Sequence, residues 1–192
     1  MNIKEESFNY LTRVLPKWKH FLSDEVYKHS DRVCDISLRL TEDLNLNLHE
    51  RVMVGAGCMI HDIGKSVVNP DVLNKKEHFT PDDKIITQRH AFEGFKLIKT
   101  LPFDKIVFDI VHYHHETLDG TGYPDLLTAR KIPLAVQIVS VADIFEAITA
   151  DRVYAKAQSP QKAIEILRTQ FKDKVNQTIV SLLEEHVEQG LF

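Results

Sequence analysis

Apolar residues recur along most of the chain at the three-to-four-residue spacing of an amphipathic helix. One face of the segment over about residues 22–46 is marked by Val26, Val33, Ile36 and Leu40. Glycine and proline are scarce, with seven of each, so the chain has few of the turns that a multi-stranded β protein requires. The pattern therefore predicts an all-α fold.

Helix boundaries follow from capping residues, proline and glycine. The run Thr80-Pro81-Asp82-Asp83 predicts a helix start, with a capping hydroxyl, a first-turn proline and acids near the positive end of the helix dipole. We expect Gly64 to cap the end of the preceding long helix. Predicted helices cover about residues 4–13, 22–46, 48–63, 80–100, 104–115, 134–150, a segment from 160, and 175–188, with a loop over 116–132.

Length and composition limit the class of protein. A chain of 192 residues predicts a single domain. No apolar run approaches the roughly 20 residues of a membrane helix, and the N-terminus lacks the order of a signal peptide. Two cysteines suit a reducing compartment, so we expect a cytoplasmic location. A net charge of −4 argues against a nucleic-acid polymer as partner.

Ten histidines supply the candidate chemistry, and the strongest local signal is the pair His61-Asp62, followed by Gly64 and Lys65. This pair places an imidazole and a carboxylate at the end of an apolar helix, where burial without a partner is costly. A metal ion removes that cost because it binds nitrogen and oxygen ligands together. The alternative is a helix end with a satisfied histidine and a glycine cap.

A second signal lies in residues 112–124, where His114 and His115 precede a glycine-rich turn. Consecutive helix residues point about 100° apart. These two histidines can therefore serve one cluster only if the cluster holds more than one metal ion or if the helix ends there. The turn that follows predicts such an end.

Other positions carry weaker signals. Asp143 stands alone in an apolar helix, where capping or a salt bridge is the alternative role. Glu25 and His29 lie four residues apart on one helix face and can share a ligand, or they form a solvated face. His90 is a lone helix histidine, which alone does not indicate a ligand.

Together these residues resemble the HD-GYP branch of the HD superfamily of metal-dependent phosphohydrolases, over about residues 25–185. The motifs that carry the resemblance are His29-Ser30-Asp31-Arg32-Val33, His61-Asp62-Ile63-Gly64-Lys65, the run from His114 to Pro124, and Asp151-Arg152 with Tyr154. The resemblance implies one compact helical domain with a buried multi-metal site. We expect residues 1–20 to form a helical extension and residues 21–188 to form the catalytic core.

The resemblance also implies a ligand set for two or three divalent metal ions. Its members are Glu25, His29, His61, Asp62, His90, His114, His115 and Asp143. Asp62 corresponds to the ligand that bridges two metal ions, and Glu25 to an extra carboxylate of trinuclear members. Nitrogen and oxygen donors without a thiolate favour iron or manganese.

The implied activity is hydrolysis of a cyclic dinucleotide, chiefly cyclic di-GMP, to pGpG or GMP. The expected nucleophile is a hydroxide bridging two metal ions, since coordination lowers the pKa of water toward about 7. Asp62 and Lys65 are the implied catalytic residues. Lys65 and Arg152 resemble phosphate contacts, and the further substrate-binding candidates are Lys156, Gly122 and Tyr123.

The sequence departs from the family pattern in three places. Glu146 stands where the family usually has an aspartate three residues after Asp143. Ala155 occupies the place of a basic residue and Lys156 follows it, so one phosphate contact is open. Residues 125–130 lack the glycine that members often have after the Tyr-Pro pair, which leaves the loop shape open.

Two alternatives to cyclic di-GMP hydrolysis remain. The first is a catalytically weak module that binds a cyclic dinucleotide or another protein, with Tyr123 and its glycines contacting a diguanylate cyclase or a receiver-type regulatory protein. The second is hydrolysis of another cyclic dinucleotide, such as cyclic GMP-AMP, or of a nucleotide. The metal ligands alone do not select the base.

Overall fold

The computed structural model describes residues 17–73, 75, 80–151 and 156–192, and these residues form a helical domain. The long helices are α1 (Asp24–Asp43), α2 (Leu48–Ile60), α3 (Pro81–Ile98), α4 (Lys105–Tyr113), α5 (Leu134–Thr149), α6 (Pro160–Thr169) and α7 (Gln177–Glu188). Shorter helical turns lie at Lys19–Phe21, Ile63–Val67, Pro70–Leu73 and Ala129–Lys131. Asp119 and Thr128 form an isolated β-bridge, but no strand occurs in these ranges. The all-α prediction is therefore confirmed.

Helix starts agree with the capping signals in the sequence. The Thr80 side chain accepts a hydrogen bond from the Asp83 N–H, and the Asp83 carboxylate accepts one from the Thr80 N–H. At the start of α6 the Ser159 side chain accepts a hydrogen bond from the Lys162 N–H, and Pro160 lies in the first turn. The predicted helix over residues 4–13 lies outside the described residues. Within them, no helix has the length and apolar character that a membrane crossing requires.

The end of α2 corrects the prediction that Gly64 caps a helix over about residues 48–63. The helix ends at Ile60, and Gly64 lies in the turn Ile63–Val67 without a positive φ. Glycine is required there because a Cβ would overlap the His90 carbonyl oxygen and lie 2.5 Å from the Gly94 nitrogen. This turn therefore packs directly on the backbone of α3.

Two apolar clusters hold the helices together. The larger one joins α1, α5, α6 and α7 and includes Val33, Leu40, Ile138, Phe145 and Leu183. The smaller one joins α2, α3 and α4 and includes Met53, Ile60, Ile98 and Val107. Helices α2 and α4 contribute to both clusters, through Cys58 and Ile110 on the larger side. The C-terminal ends of these two helices carry His61 and His114, so the packing of both clusters positions these histidines.

We expect Gly64→Ala to destabilise the protein, because the added methyl group must displace backbone atoms of α3. Overpacking costs about 1–3 kcal/mol and occasionally more. The matched control is Gly55→Ala within α2, where the nearest atom to a Cβ is 3.5 Å away and alanine favours the helix by about 1 kcal/mol. Chemical denaturation of both variants measures the difference. A Gly64→Ala protein as stable as the wild type would contradict the close packing.

Candidate metal centre

The structure brings together seven of the eight predicted metal ligands, in two adjacent groups. The first group comprises Asp62, His90, His114 and His115, and the second comprises His29, His61 and Asp143. Within each group, one ligand atom per residue lies within 4.8 Å of the others. These side chains come from α1, α3, α5 and the C-terminal ends of α2 and α4, so distant parts of the sequence form the site.

Backbone carbonyls hold three of the imidazole rings. The Nδ1 atoms of His61, His90 and His114 lie 2.6, 2.7 and 3.0 Å from carbonyl oxygens three or four residues earlier. A carbonyl oxygen can only accept a hydrogen bond, so each Nδ1 carries the proton. In the neutral ring, Nε2 then presents a lone pair, as a metal ligand must.

These lone pairs converge, and no hydrogen-bond donor from the residues that the structure describes lies between the rings. The Nε2 atoms of His90 and His114 are 3.2 Å apart, and the His90 Nε2 lies 3.3 Å from Asp62 Oδ1. The Nε2 of His61 is buried and has no hydrogen-bond partner in the described part of the chain. Facing acceptors repel one another, and a buried acceptor without a partner is costly. A divalent cation removes both penalties, so the residues fit the metal ions that the family resemblance implies.

Asp62 lies between the two groups. Its Oδ1 is 3.3 Å from His90 Nε2 and 4.0 Å from His114 Nε2. Its Oδ2 is 3.5 Å from His61 Nε2 and 3.7 Å from His29 Nε2. Each carboxylate oxygen therefore faces a different group, which is the arrangement of a carboxylate that bridges two metal ions.

In the first group, burial and neighbouring charges favour the protonation states that ligands need. Burial lowers the pKa of His90 and His114, and burial together with the adjacent His90 lowers the pKa of His115 to about 3. Burial alone would raise the pKa of Asp62, but the neighbouring Lys65 ammonium group holds that pKa well below its usual range. At neutral pH the first group therefore presents neutral rings and an ionised carboxylate.

His29 lies between two carboxylates. Its Nε2 is 3.0 Å from Asp143 Oδ1, and its Nδ1 is 2.5 Å from Glu146 Oε2. Burial lowers the pKa of His29, but the hydrogen bonds to Asp143 and Glu146 outweigh burial and raise the pKa to about 9. Burial would likewise raise the pKa of Asp143, but the hydrogen bond from His29 holds that pKa well below its usual range. The sequence did not predict a site role for Glu146 and marked it only as a departure from the family pattern.

Besides Gly122 and Tyr123, four predicted site residues lie outside the two groups or outside the described residues. Glu25 is exposed in the first turn of α1 and belongs to neither group, so its role as a third-metal ligand stays a prediction. Lys65 lies at the edge of the centre, with its Nζ 2.5 Å from Asp62 Oδ2 and its side chain 25% exposed. Lys156 is exposed. Arg152 lies outside the described residues.

The loop after α4 brings Tyr123 against the centre. The Tyr123 N–H donates to the His115 carbonyl oxygen at 3.2 Å, and the two ring centroids are 4.8 Å apart. Gly122 is buried, and a Cβ there would lie 2.5 Å from that same carbonyl oxygen. Gly122 is therefore required for the close approach of the loop to the end of α4.

Glu116 anchors the far side of this loop. Its buried carboxylate accepts the N–H of Asp125 at 2.6 Å and the N–H of Leu127 at 2.9 Å. Leu126, between them, has a left-handed φ of 55°. Sequence reasoning missed this anchor. The only signal for it was an acidic residue inside an otherwise turn-forming motif, which does not indicate the backbone groups that the carboxylate binds.

Comparisons with known proteins show the family of the chain. The family model described as HD domain matches residues 19–179. The chain is 35% identical over 144 residues to the cyclic di-GMP phosphodiesterase PA4108 of Pseudomonas aeruginosa, a match that covers 74% of this chain and 35% of that protein. It is 29% identical over 146 residues to the 3'3'-cGAMP-specific phosphodiesterase 1 of Vibrio cholerae, covering 76% of this chain and 34% of that protein.

A solved structure shares the fold. Bd1817, an HDG"Y"P protein from Bdellovibrio bacteriovorus, superposes with a TM-score of 0.74 at 18% identity, covering 96% of this chain and 62% of that chain. At this identity the likeness shows the fold alone. The chain spans about a third of the length of the two curated relatives.

We expect Mn²⁺ to raise the melting temperature of metal-free protein and His61→Gln to reduce that increase. An ion at 100 times its Kd adds about 2.7 kcal/mol to the free energy of unfolding. The matched control is His49→Gln, because the His49 Nε2 lies 2.9 Å from Asp104 in a histidine–aspartate pair outside both groups. Thermal melts of chelator-treated protein with and without Mn²⁺ measure the shift. Equal increases in both variants, or none in the wild type, would contradict a metal ligand at His61.

Proposed function

The chain belongs to the HD domain family, and on that premise we propose that it is a metal-dependent phosphodiesterase that hydrolyses a cyclic dinucleotide, with cyclic di-GMP as the first candidate. The observation that carries the proposal is Asp62, whose two carboxylate oxygens face two groups of ligand atoms. When bound, a pair of divalent ions lowers the pKa of coordinated water and holds the attacking and leaving oxygens of a phosphodiester.

The two groups divide the ligand roles. Asp62 with His90, His114 and His115 would hold one ion, and His29, His61 and Asp143 would hold the other, with Asp62 shared. Nitrogen and oxygen donors support iron or manganese as the resident metal. A third ion would require Glu25.

Lys65 is the proposed cation for the substrate phosphate. Its Nζ lies beside Asp62 and its side chain is partly exposed, so a phosphate that enters the centre meets this ammonium group. Lys65 would then stabilise the negative charge that the phosphate gains as the attacking oxygen adds. Arg152 is the proposed second contact to the phosphate, and this role rests on its motif. Lys156 is a further substrate-binding candidate.

The loop at Tyr123 is the proposed base-binding edge of the site. The Tyr123 ring stands 4.8 Å from the His115 ring, and an aromatic ring in that position can stack on a purine base. Gly122 allows this approach because it has no side chain.

The same edge is where a diguanylate cyclase or a receiver-type regulatory protein would contact the domain. We propose a cytoplasmic location, which the two free cysteines support.

A second candidate substrate is 3'3'-cGAMP, because one relative is named as a phosphodiesterase specific for that molecule. Relatives with different named substrates match the chain at similar identity, so identity does not distinguish the base. The choice would depend on groups at the Tyr123 edge, since the metal centre would meet the phosphate and not the base.

We expect purified protein with Mn²⁺ or anaerobic Fe²⁺ to convert cyclic di-GMP to pGpG or GMP, measured by chromatography beside 3'3'-cGAMP and cyclic di-AMP. Lys65→Ala should lower kcat by about 10²–10³, as loss of one charge-stabilising donor does. Lys96→Ala is the control, because Lys96 is exposed and pairs with Glu93 at 2.9 Å on the surface of α3. No turnover of any of the three substrates with either metal would contradict the proposed activity.

A further inference from the structure

Glu146 is a buried carboxylate in the most apolar helix of the described residues. Glu146 is 1% exposed, and its neighbours on α5, Ala142 and Phe145, are buried in the larger apolar cluster. An ionised carboxylate in such surroundings costs several kcal/mol unless it is paired and hydrogen-bonded. Glu146 belongs to neither group of metal ligands, so the ligand set does not account for its charge.

Two side chains of α1 bind the two oxygens of Glu146. The Oε2 atom lies 2.5 Å from His29 Nδ1. The Oε1 atom accepts a hydrogen bond from Arg32 Nε at 2.6 Å, and the Arg32 Nη2 also contacts it. Because His29 and Arg32 are one turn apart, the carboxylate fits between them and connects α5 to α1.

His29 differs from three other rings of the centre in how it is held. His61, His90 and His114 each donate Nδ1–H to a carbonyl of their own helix. The Nδ1 of His29 instead meets a side chain from another helix, 117 residues away in sequence. Its ring orientation therefore depends on Glu146, whereas local backbone sets the orientation of the other three.

We propose that Glu146, with Arg32 as its counter-charge, is a positioning residue for the metal centre. By accepting Nδ1–H of His29, Glu146 directs the His29 Nε2 toward Asp143, 3.0 Å away, and Asp62, 3.7 Å away. Hydrogen bonds from a ligating histidine to a carboxylate fix the tautomer and increase the basicity of the ligand atom. This inference deepens the proposed function and rests on it for the presence of metal ions.

The test is Mn²⁺ binding to Glu146→Gln and to Arg32→Lys, measured by calorimetry and by electron paramagnetic resonance. Glu146→Gln keeps the shape and removes the charge. Arg32→Lys keeps the positive charge and removes the planar guanidinium group that holds Glu146. This variant tests the same proposal if Glu146→Gln does not fold. We expect a 10–100-fold weaker affinity at one Mn²⁺ site, the usual effect of losing such a partner. The resonance spectrum should change from that of a coupled pair to that of a single ion.

The matched control is Glu184→Gln, which breaks a second Arg–Glu pair, formed by the Arg168 Nη2 at 2.5 Å, away from the centre. This control should leave both Mn²⁺ affinities unchanged. Unchanged affinities in folded Glu146→Gln and Arg32→Lys, with only a lower free energy of unfolding, would overturn the proposal. The Mn²⁺ measurement uses no substrate, so its result is independent of the hydrolysis assay. If the variants lose Mn²⁺ affinity but the wild type hydrolyses no dinucleotide, the positioning role of Glu146 stands and the proposed phosphodiesterase activity is rejected.

Discussion

The central constraint on this structure is that several hydrogen-bond acceptors face one another in its interior. The Nε2 atoms of His90 and His114 present lone pairs to each other and to Asp62 Oδ1, and the buried Nε2 of His61 has no hydrogen-bond partner among the described residues. Such an arrangement is unfavourable in a protein interior unless positive charge enters it. Divalent ions would supply that charge, and the same ions would suit the centre for the proposed cleavage of a phosphodiester. The stability of these buried side chains and the proposed chemistry therefore both require bound cations.

Around the ligands, a second layer of contacts fixes their geometry. Carbonyls at the ends of α2 and α4 hold two of the histidines, and Glu146 with Arg32 holds His29. Gly64 lets the turn after α2 lie on α3, which brings Asp62 to His90. Each of these contacts joins segments that are far apart in sequence or sits at a helix end. The apolar clusters provide the rigid frame that makes such placement possible.

The sequence predicted the helices well, for a physical reason. It also predicted seven residues that the folded chain brings together, and their role as metal ligands stays a prediction. Helical periodicity and capping are local, so boundaries such as Thr80-Pro81 are visible in a short window. His61, Asp62 and Asp143 stand out because an imidazole or a carboxylate occupies a position where an apolar residue is expected. The family resemblance, and not this pattern, implies the rest of the ligand set. Glu116, Glu146 and the close packing of Gly64 were not predicted, because their partners lie on other segments and only the folded chain brings them together.

The central claim is that two metal ions share Asp62, and anomalous X-ray diffraction from crystals of anaerobically purified protein at the iron and manganese edges tests it most directly. We predict two anomalous peaks, one on each side of the Asp62 carboxylate, with His90, His114 and His115 around one and His29, His61 and Asp143 around the other. Metal-loaded crystals with a single peak, or with peaks remote from these side chains, would contradict the claim.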